Sequence, residues 1–256
     1  MYRPILIIAR FTLLEAWRTR LPVLVVLIVL AAFAGSIFLH QIAITESARI
    51  QTTFFAASAR LAAVFLLSLY ITAGMSREFN DKGLELLLST DLPRSGYLLG
   101  KLGGYGALAI MIALVVMLPL CYLVPLQPAL YWGISLALEL LLICALSLFG
   151  VVTFHQVLPA ASFVLGFYLL ARSTDALRLM SGSALLGEIG AARGTFKFIA
   201  ETLALVLPSL DTFTRSDWLL DTAAGWPQLL SLSAACAVYT TLLTSAALFD
   251  LYRKNF

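Results

Sequence analysis

Six long apolar runs, separated by shorter polar or charged stretches, set the main constraint on this sequence. Of its 256 residues, 61% are hydrophobic and 12% are charged, whereas soluble domains carry roughly 25% charged residues. A helix needs about 20 mostly apolar residues to cross the hydrocarbon core of a bilayer. The runs therefore predict an all-α polytopic membrane protein with six transmembrane helices, at residues 21–39, 54–75, 102–124, 130–154, 157–174 and 226–248.

The residues before the first run combine basic and apolar side chains. Arg10, Arg18 and Arg20 stand among leucine, isoleucine and aromatic residues, a mixture typical of a helix that lies in the membrane surface. We predict a cytosolic interfacial helix at residues 1–20, with a loosely structured basic segment as the alternative. The first run ends in small residues, as a signal peptide does, but it is long for one and five further runs follow. We therefore expect it to be retained.

A charged segment at residues 76–101 joins the second and third runs. Glu78 and Lys82 are spaced i, i+4 with the acid first, the order that stabilises a helix. Leucines three and four residues apart give this helix an apolar side, and Pro93 ends it because proline cannot continue a helix. The pattern predicts a short solvated helix between two membrane spans.

Basic residues are concentrated at both termini and in the 76–101 segment, which together hold most of the lysines and arginines. Six spans place both termini on one side of the membrane, and the positive-inside rule makes that side the cytosol. We expect the termini and residues 76–101 to be cytosolic and residues 175–225 to be extracytoplasmic. Within the latter, the apolar run at 196–207 is too short to span, so we predict a re-entrant or interfacial helix.

Polar and small residues within the spans are candidates for function or helix packing. Arg60 is near the outer end of the second span, where its side chain could snorkel to the surface. Glu139 lies well inside the fourth span and His155 just after it. An ionisable residue within a span is a functional candidate, and Glu139 could line a substrate path, be protonated, or bond across a helix interface. Gly100 and Gly104 are spaced as a helix-packing pair, although glycines at a helix start are an equally good interpretation.

Motifs for catalysis and nucleotide binding are missing from the sequence. The stretch from Ser95 to Leu102 approaches a Walker A loop, but Ser95 replaces its first glycine and Leu102 its serine or threonine. Glu139 and His155 could share a metal only with help from another helix, and no HExxH motif is present.

The three cysteines lie in apolar runs and indicate no disulfide framework. The net charge of +3 is too small for a nucleic-acid partner. The sequence predicts a non-catalytic chain without its own metal or cofactor.

Short motifs follow one another around the charged segment: Arg77-Glu78, Lys82-Gly83-Leu84-Glu85-Leu86-Leu87-Leu88, Pro93-Arg94-Ser95 and Gly100-Lys101. In this order they resemble the segment between the second and third spans of ABC-2 permeases, in particular the stand-alone six-span subunits of the NosY-like and CcmB-like branches. Leu84 stands where the family usually has threonine. Farther along, Pro208 to Phe213 resembles an outer-face element of NosY-like members.

The resemblance implies a type V exporter-like permease that exports a substrate across the bacterial inner membrane while a separate cytosolic ABC ATPase hydrolyses ATP. Two ATPase copies would hold the ATP and Mg²⁺, and two copies of this chain would form a homodimer within membrane lipid. The predicted helix in the 76–101 segment would be the coupling helix that the ATPase binds. Its expected contact residues are Arg77, Glu78, Lys82, Gly83, Glu85, Leu87 and Leu88.

Several cargo classes are consistent with this resemblance, including lipids, glycans and a factor for the maturation of periplasmic metalloenzymes. In the expected orientation, the 175–225 segment would be accessible to a periplasmic partner. One alternative function is a membrane assembly or scaffold factor that uses an ATPase but transports nothing. Another is an intramembrane enzyme that depends on Glu139 or His155.

Overall fold

A computed structural model describes residues 2–44, 46–80, 93–174, 210–213, 219 and 225–253. These residues are helical with short connections and form no strand, which confirms the predicted all-α class. The helices are α1 (Tyr2–Arg18), α2 (Leu21–Ile42), α3 (Ser47–Asn80), α4 (Arg94–Leu123), α5 (Leu126–Phe154), α6 (Val157–Arg172) and α7 (Trp226–Arg253), with a 3₁₀ turn at Leu210–Phe213.

Among the described residues, five helices are long and apolar enough to cross a membrane: α2, α3, α4, α5 and α7. The protein is therefore a multi-pass membrane protein. Helix α6 is apolar but has 16 residues, which at 1.5 Å per residue gives about 24 Å, less than the roughly 30 Å of a hydrocarbon core. Six spans thus remain a prediction, with α6 as the short one.

Helix α5 is the centre of the bundle and packs against α3, α4, α6 and α7. Leu136, Leu140, Ile143 and Leu146 of α5 are fully buried. Its small and apolar residues are distributed all round the helix rather than along one stripe, which is the pattern of a helix enclosed by neighbours. Helices α2 and α7 lie outside it and leave many apolar side chains exposed, as expected of helices that face lipid.

Helices α3 and α4 extend beyond the apolar runs that predicted them. Helix α3 covers Ser47–Asn80 rather than 54–75, and α4 begins at Arg94 rather than at residue 102. The segment predicted as a loop at 76–101 is therefore helical at both of its ends. Hydropathy marks the lipid-buried part of a helix, whereas backbone hydrogen bonding continues into polar residues. At the start of α3, for example, the Ile50 amide donates to the Glu46 carbonyl at 3.1 Å.

A short break separates α1 from α2. Arg20 has φ 58° and ψ 16°, in the left-handed region, and Pro22 follows in the first turn of α2, where a proline is tolerated because its missing N–H would have no helical acceptor. The break lets the two helices follow successive parts of α4. Residues of α1 contact α4 around Gly100 and Gly104, and those of α2 approach it near Ile112.

Candidate functional site

An ion pair buried in the bundle joins α3 to α5. The Arg60 guanidinium donates to Glu139 Oε2 at 2.7 Å, and the two residues are 1% and 0% exposed. Arg60 was predicted to snorkel towards the membrane surface, and that prediction is wrong: the side chain points into the bundle because a carboxylate is available there. Of the three roles considered for Glu139, the structure supports a bond across a helix interface.

Arg60 makes further contacts through its two terminal nitrogens. It donates to the Phe213 carbonyl at 2.9 Å, to Ser135 Oγ at 2.9 Å and to the Trp132 carbonyl at 3.4 Å. Its guanidinium carbon lies 4.5 Å from the centre of the Trp132 ring, within the range of a cation–π contact. The bond to Phe213 attaches the 3₁₀ turn to the helical bundle.

The other carboxylate oxygen of Glu139 binds α6. Tyr168 donates its hydroxyl hydrogen to Glu139 Oε1 at 3.0 Å, and Arg172 donates to the Tyr168 oxygen at 2.8 Å. We call Arg60, Ser135, Glu139, Tyr168 and Arg172 the Arg60–Glu139 cluster. Buried charges are tolerated when they are paired and hydrogen-bonded, and this cluster meets both conditions. The cluster therefore connects α3, α5, α6 and the turn at 210–213 through an ion pair and hydrogen bonds.

A second charged cluster lies towards the other end of α3. Glu78 pairs with Lys101 of α4 and accepts a hydrogen bond from Tyr97 at 2.5 Å. The Lys101 ammonium also lies 6.0 Å and 5.9 Å from the ring centres of Tyr97 and Tyr105. We call Glu78, Tyr97 and Lys101 the Glu78–Lys101 cluster. It joins the two helices that flank residues 81–93.

Helix α1 packs closely along the same end of α4. A methyl group added at Gly100 would come within 2.8 Å of Ile8 Cβ, and one at Gly104 within 2.7 Å of Thr12 Cβ. The absence of side chains at these two glycines is therefore what allows the contact, as expected for a small-xxx-small pair. The packing interpretation of Gly100 and Gly104 is the correct one, and α1 and α4 run side by side in the same direction.

His155 lies at the end of α5 and contacts α3 near the Glu78–Lys101 cluster. It has φ 61°, in the left-handed region, and its carbonyl accepts a hydrogen bond from Ser76 Oγ at 2.8 Å. Its ring centre is 5.1 Å from that of Phe79. Ser76 and Arg60 are separated by about 24 Å along α3, so His155 and Glu139 occupy different levels of the bundle. Within the described part of the chain, no three His, Cys, Asp or Glu residues are grouped as a metal site.

The structure describes four of the site residues predicted from the sequence. Arg77 is exposed, Glu78 is paired as above, and Glu139 and His155 belong to separate contacts. The other predicted coupling residues, Lys82, Gly83, Glu85, Leu87 and Leu88, lie outside the described residues.

Sequence reasoning did not foresee the groups that complete the two clusters, namely Arg60, Tyr97, Lys101, Tyr168 and the Phe213 carbonyl. One signal was present for the pairing of Arg60 with Glu139. Arg60 and Glu139 are opposite charges in two apolar runs, and a bilayer interior favours pairing of such charges.

No protein-family model matches the chain, and no curated protein sequence matches it either.

Proposed function

We propose that the chain is the transmembrane permease subunit of an ABC-type exporter, a type V exporter-like ABC-2 permease driven by a separate ATPase. The observation that carries this proposal is the Glu78–Lys101 cluster. It ties together the two helices that enter and leave residues 81–93, the part of the chain predicted to bind the ATPase. A force that the ATPase applies to residues 81–93 would therefore move α3 and α4 together.

The Glu78–Lys101 cluster is well suited to transmit force. Lys101 is buried and Glu78 is largely so, and charge attraction is stronger where water is partly excluded than on an open surface. Helix α1 is packed onto α4 through Gly100 and Gly104. Helices α1, α3 and α4 therefore act as one unit at this end of the bundle.

The Arg60–Glu139 cluster extends this unit to the remaining helices. Arg60 and Glu78 are both on α3, about 27 Å apart along the helix axis. A tilt of α3 started at Glu78 therefore reaches α5, α6 and the turn at 210–213 through Arg60. Rigid movement of packed helices around such ties is a common way for a membrane protein to alternate between states.

The proposal includes a topology with six spans, in which α6 is the short one. Packing of α6 against α3 and α5 supports this placement, and a bilayer can thin locally around a short helix. Both termini and residues 81–93 are then cytosolic under the positive-inside rule, and residues 175–225 are extracytoplasmic. The proposed location is the bacterial inner membrane.

The partners follow from what the sequence lacks. Since the chain carries no Walker A motif, ATP and Mg²⁺ belong to the ATPase, two copies of which serve a homodimer of this chain. A factor for the maturation of periplasmic metalloenzymes is the proposed cargo class. A periplasmic protein that takes over this cargo is a further proposed partner.

Affinity purification from the native host tests the proposal. The tagged full chain is purified in mild detergent with and without a non-hydrolysable ATP analogue, and co-purifying proteins are identified by mass spectrometry. We expect an ABC ATPase with the wild type and little of it with Leu87→Asp, which places a charge on the predicted contact. Glu46→Gln is the matched control, because Glu46 forms an exposed pair with Arg49 at the far end of α3.

Glu78→Gln separates binding from coupling. Since Glu78 is paired with Lys101 and only partly exposed, this variant should still bind the ATPase but lose the change in ATP hydrolysis that cargo produces. Failure to recover an ATPase under every nucleotide condition contradicts the proposal. Recovery of an ATPase without ATP-dependent transport of any cargo into reconstituted vesicles favours the assembly-factor alternative.

A further inference from the structure

An apolar groove lies beside the break between α1 and α2, next to α4. It consists of two adjoining cavities of about 230 Å³ each, which share Trp17, Pro22, Leu108 and Met111 as lining residues. One cavity extends along α1 to Arg10, and the other extends along α2 and α4 to Val26 and Val115. The groove is thus apolar along its length and has a basic group at one end.

The break at Arg20 explains why the groove exists. Up to Gly104, α1 approaches α4 closely because glycine leaves room for it. Beyond that point α4 presents Leu108 and Met111, and the chain turns at Arg20 to begin α2. At this level the cavities lie between α4 and the residues on either side of the break.

The surroundings of the groove indicate what fills it. Helices α2 and α4 are both long and apolar enough to cross a membrane. Leu14, Trp17 and Val26, on the rim, are 51%, 64% and 45% exposed. In a bilayer these side chains contact hydrocarbon, and tryptophan favours the level of the headgroups. An apolar slot open to hydrocarbon is filled by an acyl chain rather than by water.

Arg10 supplies the second part of the argument. Arg10, Leu14 and Trp17 are spaced i, i+4 and i+7, so they share one face of α1. Arginine binds phosphate oxygens with paired hydrogen bonds. The attraction is greatest for a lipid with a net negative charge, because a zwitterionic headgroup carries its own cation beside the phosphate. We propose that the groove binds one phospholipid with an anionic headgroup, with an acyl chain between α2 and α4 and the phosphate group at Arg10. This site does not depend on the proposed transport function, since lipid surrounds any membrane protein.

Native mass spectrometry of the full chain in detergent tests the proposal. The probes are phosphatidylglycerol and phosphatidylcholine with identical acyl chains, added in increasing amounts. We expect the wild type to retain one phosphatidylglycerol more strongly than phosphatidylcholine. Arg10→Gln should lose this preference, with roughly tenfold weaker retention of phosphatidylglycerol, as expected for the loss of a charge-assisted hydrogen bond.

Two further variants test the apolar part of the site. Met111→Trp fills the groove from α4, and Val26→Trp fills its rim from α2, so both should lose the bound lipid. The matched controls are Leu114→Trp, on the exposed side of α4, and Arg18→Gln, on α1; neither residue is among those lining the two cavities. Val26 is part-exposed, so Val26→Trp keeps the test informative if Met111→Trp does not fold.

Two outcomes overturn the proposal. Equal retention of both lipids, unchanged in Arg10→Gln and in the tryptophan variants, means that only the ordinary lipid layer is present. A change in oligomeric state with Met111→Trp or Val26→Trp, without a change in bound lipid, means that a second copy of the chain fills the groove.

Discussion

Arg60 and Glu78 lie on the same helix, and each forms an ion pair with a different neighbour: Glu139 of α5 and Lys101 of α4. About 27 Å of α3 separates them, close to the thickness of a hydrocarbon core. Helix α3 therefore carries a positive anchor at one level of the bundle and a negative anchor at another. Each pair is tested by substitutions that remove or exchange its charges.

Removal of one charge from the Arg60–Glu139 pair should destabilise the fold more than removal of both. Glu139→Gln leaves Arg60 as an uncompensated buried charge, which costs about 3–5 kcal/mol. The double variant Arg60→Met/Glu139→Leu removes that charge and should be closer to the wild type. The measurement is unfolding of the purified chain in detergent.

Glu46→Gln is the control for this prediction. Glu46, which directly precedes α3, forms an exposed pair with Arg49, and loss of such a pair costs under about 1 kcal/mol. Equal stability of Glu139→Gln and Glu46→Gln would mean that Glu139 is not needed to compensate the buried charge of Arg60.

Substitution of single glycines in α4 should separate close packing from helix propensity. Gly104→Ala places a methyl group within 2.7 Å of Thr12 Cβ, and such overpacking costs about 1–3 kcal/mol. It should also expose Arg10 and Arg18 of the displaced α1 to faster cleavage by trypsin. Thermal unfolding and limited proteolysis are the measurements.

Gly103→Ala and Gly166→Ala are the matched controls. The nearest atom to an added methyl at Gly103 is 3.9 Å away, and none lies within 4 Å at Gly166. Alanine is the better helix former by up to about 1 kcal/mol, so both variants should be as stable as the wild type or more so. A loss of stability equal to that of Gly104→Ala would mean that α1 is not held by these glycines.

Exchange of the charges of Glu78 and Lys101 should restore what each single reversal loses. Glu78→Lys and Lys101→Glu each bring like charges together in a part-buried site, which is unfavourable. The double variant restores an attractive pair, although the hydrogen bond from Tyr97 is altered. We expect the singles to unfold at lower temperature and the double variant to recover part of the difference. Recovery of ATP-dependent transport in the double variant would extend the result from stability to coupling, whereas stability without transport would limit the pair to a structural role.

Labelling of introduced cysteines should report the proposed topology. Ile44, between α2 and α3, is 99% exposed, and in the proposed orientation Ile44→Cys reacts with a membrane-impermeant maleimide on intact cells. Thr19→Cys, before α2, should react only after permeabilisation. Cys144 and Cys236 are buried and should not contribute, and Cys121 is replaced by alanine to remove its signal. The reverse pattern would place the 81–93 segment outside the cell and rule out a cytosolic ATPase on it.

The sequence was sufficient for the helical class, because lipid-facing helices require long apolar runs that are visible without a structure. It also offered close packing as one of two interpretations of Gly100 and Gly104, since the spacing of small residues is local. The partner of Arg60 could not be predicted from its own helix, because Glu139 lies 79 residues away in sequence. The prediction of snorkelling considered Arg60 alone, and the energy of a charge within a bundle depends on which opposite charge the fold places beside it. The ends of α3 and α4 were missed because hydropathy does not detect polar turns of a continuing helix.

The hydrogen bond from Arg60 to Phe213 is made to a main-chain carbonyl, a group that any amino acid at that position supplies. Arg60 thus holds the turn at 210–213 by its backbone, while the buried side chain of Phe213 only has to fill an apolar space. An anchor of this kind tolerates exchange of the neighbouring sequence. Segments taken from other proteins could be joined on either side of the turn, and the helical bundle would need no new residue to hold them.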